Sequence, residues 1–381
     1  MLKSVGKVRE IAQKWINKYF QDKKQHIAFG LPEVDDRYNL WRVPITLADA
    51  PSQLIGEVRI NFEGKIASST RKEYIRARIE SADRKDIQKG SKKKTIFYPA
   101  SIPNKIILGD AKLVLEEFPP DTAQLIITSP PYYNAKPESC EFIDYQDYLN
   151  FLTGVIIRVR EVLSEGRFFI INVSPVLIRR TSRNTSSKRV PIPFDIHQIM
   201  NSAGFEFIDD IIWVKPEGAG WNLGRGRRFV ADRQPLQYKP VSVTEYVLVY
   251  RKNTQKLIDW NIRYHYDKKL VEKSKILGDY EVTNVWRIHP GYHKEHPAIF
   301  PDDLIRKIIR YYSFIDDLVL DPFAGSGTVG RMAIEMERRF LLIDNNLNYF
   351  KVMKREVGNL AKEKNIRIDF EISEEGGVNA V

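Results

Sequence analysis

The stretch LVLDPFAGSGTVGRMAIEM (318–336) constrains the fold more than any other part of the chain. A short apolar strand ending in Asp321 runs into a glycine turn, Gly325-x-Gly327-x-x-Gly330, and out into residues with helical spacing. Glycine at such a turn lets the backbone bend tightly and approach a ligand, with the amides of the helix start facing it. Asp344 ends the next strand, FLLID (340–344), where an acid can bond both hydroxyls of a ribose. Strand before, helix after and acid at the next strand end together predict a nucleoside-cofactor site. No GxxxxGKS or GxxxxGKT occurs, so a nucleoside-triphosphate loop is not expected.

The same alternation runs back to about residue 103. KIILG (105–109), QLIIT (124–128), RFFIIN (167–172), FEFIDDIIWV (205–214) and VTEYVLVY (243–250) read as strands. AKLVLEEF (111–118), residues 145–163, PFDIHQIMNSAG (193–204) and PDDLIRKIIRYY (301–312) read as helices. This order predicts an α/β domain with a mostly parallel sheet. Residues 1–95 differ. They offer one amphipathic helix (Val8, Ile11, Ala12, Trp15, Ile16, Tyr19) and two strand-like runs, WRVPI (41–45) and GEVRINFEGKI (56–66), and predict a small α+β domain. The basic run DRKDIQKGSKKK (83–94) reads as a linker. Two halves of the larger domain, 96–250 and 291–381, flank a less regular segment, 251–290.

Lys and Arg number 60 against 49 Asp and Glu, a net charge of +11. That balance predicts a polyanionic partner, nucleic acid or an anionic membrane surface. Cys140 is the single cysteine, which excludes an intrachain disulfide framework and a cysteine-built zinc site. His289, His293 and His296 match no common metal spacing, so no metal is expected. No apolar run reaches about 18 residues, and the N-terminus lacks an apolar signal core; a soluble, reduced, cytoplasmic protein is expected.

A second turn, QLIITSPPYYNAK (124–136), carries the other chemistry. Pro130 and Pro131 have fixed φ and no N–H, so the Pro130 carbonyl is free to accept from a ligand. Ser129 adds a second acceptor and Tyr132 a flat face for stacking. Two acceptors beside a ring suit a planar heterocycle bearing an exocyclic amine. Strand-end loops of a parallel sheet gather on its carboxyl edge, so a nucleoside cofactor and such a base would meet there.

With TSPPY (128–132), DPFAGSGT (321–328), HPAIFP (296–301) and VWRIHPGYH (285–293) in hand, the chain from about 105 to 350 resembles the S-adenosylmethionine-dependent amino-DNA methyltransferases. The catalytic motif precedes the cofactor motif, as in the permuted beta class, and serine in TSPPY is similar to the cytosine-N4 branch. The resemblance implies a doubly wound, Rossmann-like methyltransferase sheet, mostly parallel with one antiparallel strand. It implies catalysis by Ser129, Pro130, Pro131 and Tyr132. It implies S-adenosyl-L-methionine held by Asp110, His296, Pro297, Phe300, Asp321, Phe323, Gly325, Gly327, Thr328 and Asp344.

Double-stranded DNA is the partner so implied. Phosphate or base contacts are expected from Arg179, Arg180 and Arg183 in one basic loop and Arg225, Arg227 and Arg228 in another. Residues 251–290 are expected to share in target recognition. A cognate restriction endonuclease and a monomer or homodimer complete the expectation. Three alternatives stand beside it: adenine N6 as the acceptor, a nicotinamide-dependent oxidoreductase, and a catalytically dead nucleic-acid-binding protein. Carbon-5 methylation would need a thiolate, and Cys140 lacks the preceding proline for that role.

Overall fold

In a computed structural model, two units divide the chain, Met1–Thr95 and Ile96–Val381. The structure describes residues 4–36, 38–51, 54–72, 75–76, 78–79, 102–133, 144–178, 184, 188–216, 234–236, 238, 240, 242–291 and 300–373.

In the first unit, α1 (Val5–Tyr19) places Val8, Ala12, Trp15 and Ile16 on one buried stripe. Those side chains share a core with Trp41, Val43 and Ile45 of β3 (Leu40–Leu47) and with Ile55, Val58 and Ile60 of β4 (Leu54–Asn61). Ile75 and Ile79, both helical, complete it. β1 (Ile27–Phe29), β2 (Glu33–Asp35) and β5 (Ile66–Ser69) pair antiparallel around these two strands. Residues 56–66, expected as one strand, are instead a hairpin. Asn61 Oδ1 accepts from the amides of Glu63 and Lys65, and Gly64 takes φ +86°, so the chain reverses there.

The second unit is built on nine strands in the order β13-β11-β12-β8-β7-β14-β15-β6-β16. In chain order these are β6 (Asn104–Leu108), β7 (Ala123–Thr128), β8 (Leu163–Val173), β11 (Phe205–Val214), β12 (Thr244–Lys252), β13 (Val285–Arg287), β14 (Leu318–Asp321), β15 (Arg339–Asp344) and β16 (Ile368–Ile372). β12 runs antiparallel to both neighbours, and every other pairing is parallel. The sheet is therefore of the mostly parallel, doubly wound kind with one reversed strand. A two-stranded ribbon, β9 (Val176–Ile178) with β10 (Lys188–Val190), stands outside it.

Alternate residues of the buried strands face opposite layers. Ile126, Phe169, Ile171, Leu320 and Ile343 meet α2 (Ala111–Glu116), α3 (Tyr145–Val162) and α4 (Ile192–Ser202). Leu125, Ile127, Ile170, Val319 and Leu342 meet α7 (Asp302–Tyr312), α8 (Thr328–Glu335) and α9 (Leu347–Glu363). Between α4 and α7 lie two short helices, α5 (Trp260–Arg263) and α6 (Lys268–Lys273). The chain steps from β7 outward to β8, but from β14 the other way to β15. Winding thus reverses between β7 and β14, and at such a reversal the loops at the carboxyl ends of the strands diverge to leave a crevice.

Gly330 lets α8 lie close on β15: a Cβ there would sit 2.6 Å from Leu342 Cδ1. Gly330→Ala should lower unfolding free energy by about 1–3 kcal/mol in urea titration, the cost of overpacking a filled core. An unchanged midpoint would mean that the helix is free to shift outward.

Candidate active site

The candidate groups gather at one edge of the nine-stranded sheet. Thr128 ends β7 and Asp321 ends the adjacent β14, and the Thr128 hydroxyl donates to Asp321 Oδ1 at 2.7 Å. The Phe323 amide donates to the same oxygen at 3.0 Å. The other oxygen, Oδ2, takes no hydrogen bond from the described residues. Asp321 is 1% exposed, and burial pushes its carboxyl up to about 7, against the two hydrogen bonds that favour the charged form.

The glycine turn follows directly. Gly325 and Gly327 take φ values of +53° and +82°, the left-handed region. The Gly325 amide donates to Asp344 Oδ2 at 2.8 Å, and the Asn346 amide to Oδ1 at 2.8 Å. Asp344 is half-buried at the end of β15, and desolvation pushes its carboxyl up to about 6. Thr328 opens α8, buried, within 3.4 Å of the Arg331 guanidinium. Asp110 follows β6, where its side chain caps α2 through the amides of Lys112 and Leu113. Gly109 donates to the Asp344 carbonyl, which ties this step to β15.

On the other side of the crevice, Ser129 is half-buried and Pro130 buried directly after Thr128. The Tyr132 hydroxyl donates to Glu245 Oε2 at 2.9 Å, and Asn172 Nδ2 donates to the same carboxylate oxygen at 2.6 Å. Lys215 pairs with the other Glu245 oxygen. Burial first, and the Glu245 carboxylate next, hold the Tyr132 phenol well above its ordinary value. The Ser129 hydroxyl, within hydrogen-bonding reach, acts the other way.

Glu245, Asn172 and Lys215 were not among the residues expected at this site. Asn172 ends RFFIIN and Lys215 follows FEFIDDIIWV, so both lie at the carboxyl end of parallel strands. Glu245 begins β12, which runs backwards, so its start lies on the same edge. A lone acid inside VTEYVLVY was the available signal.

Ser129, Pro130, Pro131 and Tyr132 thus share an edge with Asp110, Asp321, Phe323, Gly325, Gly327, Thr328 and Asp344. Phe323 packs beside Phe151, ring centroids 5.8 Å apart. Phe300 is half-buried against the α7–α9 layer. His296 and Pro297 lie outside the described residues, as do Arg179, Arg180, Arg183, Arg225, Arg227, Arg228 and Cys140. The segment 251–290 is divided between two edges. Trp260, Asn261, Tyr264, His265 and Tyr266 line a small cavity with Gln124, Arg167 and Asp317 at the amino ends of the strands, away from the crevice. β13 lies beside β11 and brings Arg287 level with Val214 on the carboxyl side. Among the described residues, no cluster of three or more His, Cys, Asp or Glu could hold a metal. No helix among them is long and apolar enough to cross a membrane.

The raised Asp321 carboxyl has a consequence for stability in the absence of ligand. The folded chain holds its proton up to about pH 7, whereas an unfolded Asp releases it near 3.8. Its favourable contribution is therefore complete below pH 3.8 and is lost as pH rises through about 7. Asp321→Asn keeps an oxygen for Thr128 and Phe323 but cannot ionise. It should exceed the wild type in stability by about 1–3 kcal/mol at pH 8 and by less at pH 5, measured by urea unfolding. An equal difference at both pH values would contradict the buried charge.

The chain is similar to the type II beta methyltransferase M.BslI of Bacillus sp. (strain NEB-606), 26% identical over 258 residues that cover 66% of this chain. It is also similar to the type II methyltransferase M.BglII of Bacillus subtilis, 28% identical over 254 residues that cover 64% of this chain. It spans 27% of the length of the first and 66% of the second. Its fold matches TTHA0409 of Thermus thermophilus with a TM-score of 0.54 at 26% identity, covering 71% of this chain and all of that one. The same protein has been solved in complex with S-adenosyl-L-methionine, and that structure matches with a TM-score of 0.53, covering 71% of this chain and 98% of that one. A family model described as DNA methylase, for N6 and N4 methyltransferases, matches residues 123–355. The chain belongs to this DNA methylase family.

Proposed function

We propose that the protein moves a methyl group from S-adenosyl-L-methionine to the exocyclic N4 of a cytosine flipped out of double-stranded DNA. The observation that carries the reading is the Thr128–Asp321 hydrogen bond, which fixes the SPPY loop beside the glycine turn.

The residues present fit the cofactor. Asp321 offers a buried carboxylate with one oxygen open, suited to an ammonium group. Asp344 spends one lone pair of each oxygen on a backbone amide and keeps others for ribose hydroxyls. Asp110, Phe323, Gly325, Gly327 and Thr328 surround the same turn, and Phe300, His296 and Pro297 close the assignment. When bound, the cofactor supplies an electrophilic methyl group.

The chain's own part is acceptance and positioning. The amine of cytosine is a poor nucleophile because its lone pair is delocalised into the ring. The Ser129 hydroxyl and the Pro130 carbonyl accept its two hydrogens, which favours a pyramidal nitrogen with its lone pair free. Pro131 holds the loop in the extended form this needs. Tyr132, anchored at its hydroxyl by Glu245 and Asn172, with Lys215 holding the other Glu245 oxygen, presents a fixed ring for the flipped base to stack on. Oxygen dipoles then face the charge that develops on nitrogen, which loses one of its two protons to solvent after the methyl group has arrived.

Double-stranded DNA is the substrate in this reading, held by Arg179, Arg180, Arg183, Arg225, Arg227 and Arg228. Recognition within 251–290 narrows to the end that reaches the carboxyl edge, around Arg287. Ser129 favours cytosine over adenine N6, since adenine enzymes of this type usually carry Asp or Asn there. A nicotinamide-dependent reaction leaves TSPPY without a role.

The test is digestion of DNA incubated with the protein and S-adenosyl-L-methionine, followed by mass analysis of the nucleosides. N4-methylcytosine is expected, with kcat lowered roughly 100-fold in Ser129→Ala. N6-methyladenine would move the assignment to the second base, and no methylated base would remove it.

A further inference from the structure

The family match begins at residue 123 and leaves the first unit without a role. Its charge is uneven. Residues 1–95 hold 21 of the 60 Lys and Arg but 12 of the 49 Asp and Glu, so +9 of the net +11 lies in a quarter of the chain. The remaining 286 residues are close to neutral.

Within the unit several acids are matched by bases. Asp22 pairs with Arg76, and Glu57 with Arg42 and Arg59. Glu33 and Asp35 lie on β2, and Glu63 pairs with Lys65 in the hairpin turn. The outer face of α1 is different. Its exposed charged residues are Lys7, Arg9, Glu10, Lys14 and Lys18. At 3.6 residues per turn, Lys7, Lys14 and Lys18 fall within about 40° of one another, along about 16 Å of axis. Lys7, Arg9 and Lys14 have no ion-pair partner among the described residues. Elsewhere surface bases on helices are commonly paired, as Arg158 is with Glu116 and Glu161, and Arg306 with Asp303 and Glu335. At the end of the stripe, Tyr19 has Lys72 Nζ 3.5 Å and Lys18 Nζ 5.3 Å from its ring centre. These ring contacts hold two cations at the same end of the helix.

A row of three lysines on one helix face, with Glu10 as the single acid beside it, costs stability through repulsion. It suits a partner with regularly spaced negative charge. Double-stranded DNA carries one charge per about 1.7 Å of axis and is the polymer that the proposed reaction already requires. We propose that the α1 stripe of Lys7, Lys14 and Lys18 is a DNA-phosphate contact. It binds duplex without regard to sequence and keeps it near a catalytic unit that has little net charge of its own. Tethering raises the effective concentration of DNA at the active site with no added base contact. The inference rests on DNA being the substrate.

The test uses the full chain with Lys7→Gln, Lys14→Gln and Lys18→Gln combined, and a control with Lys351→Gln, Lys354→Gln and Lys362→Gln on α9. Affinity for a duplex that lacks any methylation site is measured against salt concentration. Removing one phosphate contact should flatten the log–log slope by about 0.9, so the stripe variant should fall by about 2.7 in slope and bind on the order of several hundredfold more weakly at 0.1 M salt, the difference closing toward about 1 M. KM for DNA should rise with kcat at saturating DNA within about twofold, and the control should change the slope by less than about one. An unchanged slope in the stripe variant overturns the proposal, as does an equal change in the control. Loss of binding to phosphatidylserine vesicles with the DNA slope intact would give the stripe to a membrane surface and overturn it too. If wild type binds DNA with the expected slope but transfers no methyl group, the reaction assignment fails and the DNA-phosphate role of the stripe stands.

Discussion

The hydroxyl of Thr128 reaches Asp321 across a join between strands whose residues are 193 positions apart in the chain. One strand delivers a rigid proline loop and the other a glycine turn, and their ends are held together by a hydrogen bond to a buried carboxyl. Without that link, each turn would be an ordinary strand-to-helix connection. With it, the proline loop and the glycine turn lie side by side, at the point where the winding of the sheet reverses.

The crevice is built at a cost in burial. Asp321 and Asp344 both sit where water is scarce, and both carboxyls are pushed up because their charged forms lose hydration. Backbone amides and one threonine hydroxyl offset part of that loss. A ligand bringing an ammonium group and ribose hydroxyls would offset more. Glu245 follows another pattern across the crevice, where Lys215 and Asn172 compensate its charge and the carboxylate fixes a tyrosine instead of awaiting a ligand. One edge of the sheet thus carries two kinds of buried acid, one kept open and one closed.

Most of the nine-stranded sheet was readable from periodicity, because buried parallel strands are short apolar runs and the helices between them carry clear stripes. The reversed strand came from the family resemblance, since VTEYVLVY reads the same in either direction. The hairpin at Gly64 was missed because residues 56–66 alternate well enough to hide a turn made by one Asn side chain and one left-handed glycine. At the site, the two turns were legible as motifs. Their bridge was not, because Thr128 reads as the last residue of a strand until its neighbour is known. Glu245, Asn172 and Lys215 escaped for the same reason: three strands must be aligned before they become neighbours. The division of 251–290 between two edges likewise depends on packing that local spacing does not encode.

The proposed methyl transfer requires coupling between the two strand ends, and a double-mutant cycle measures that coupling directly. Thr128→Val, Asp321→Ala, which leaves Thr128 no acceptor, and the double variant would be compared with wild type in single-turnover methyl transfer at saturating cofactor and DNA. If the hydrogen bond holds the two loops in one reactive arrangement, the reductions in rate should be non-additive, with a coupling energy of about 1–3 kcal/mol. Effects that simply add would show that the loops act independently, and the shared crevice would no longer explain the chemistry.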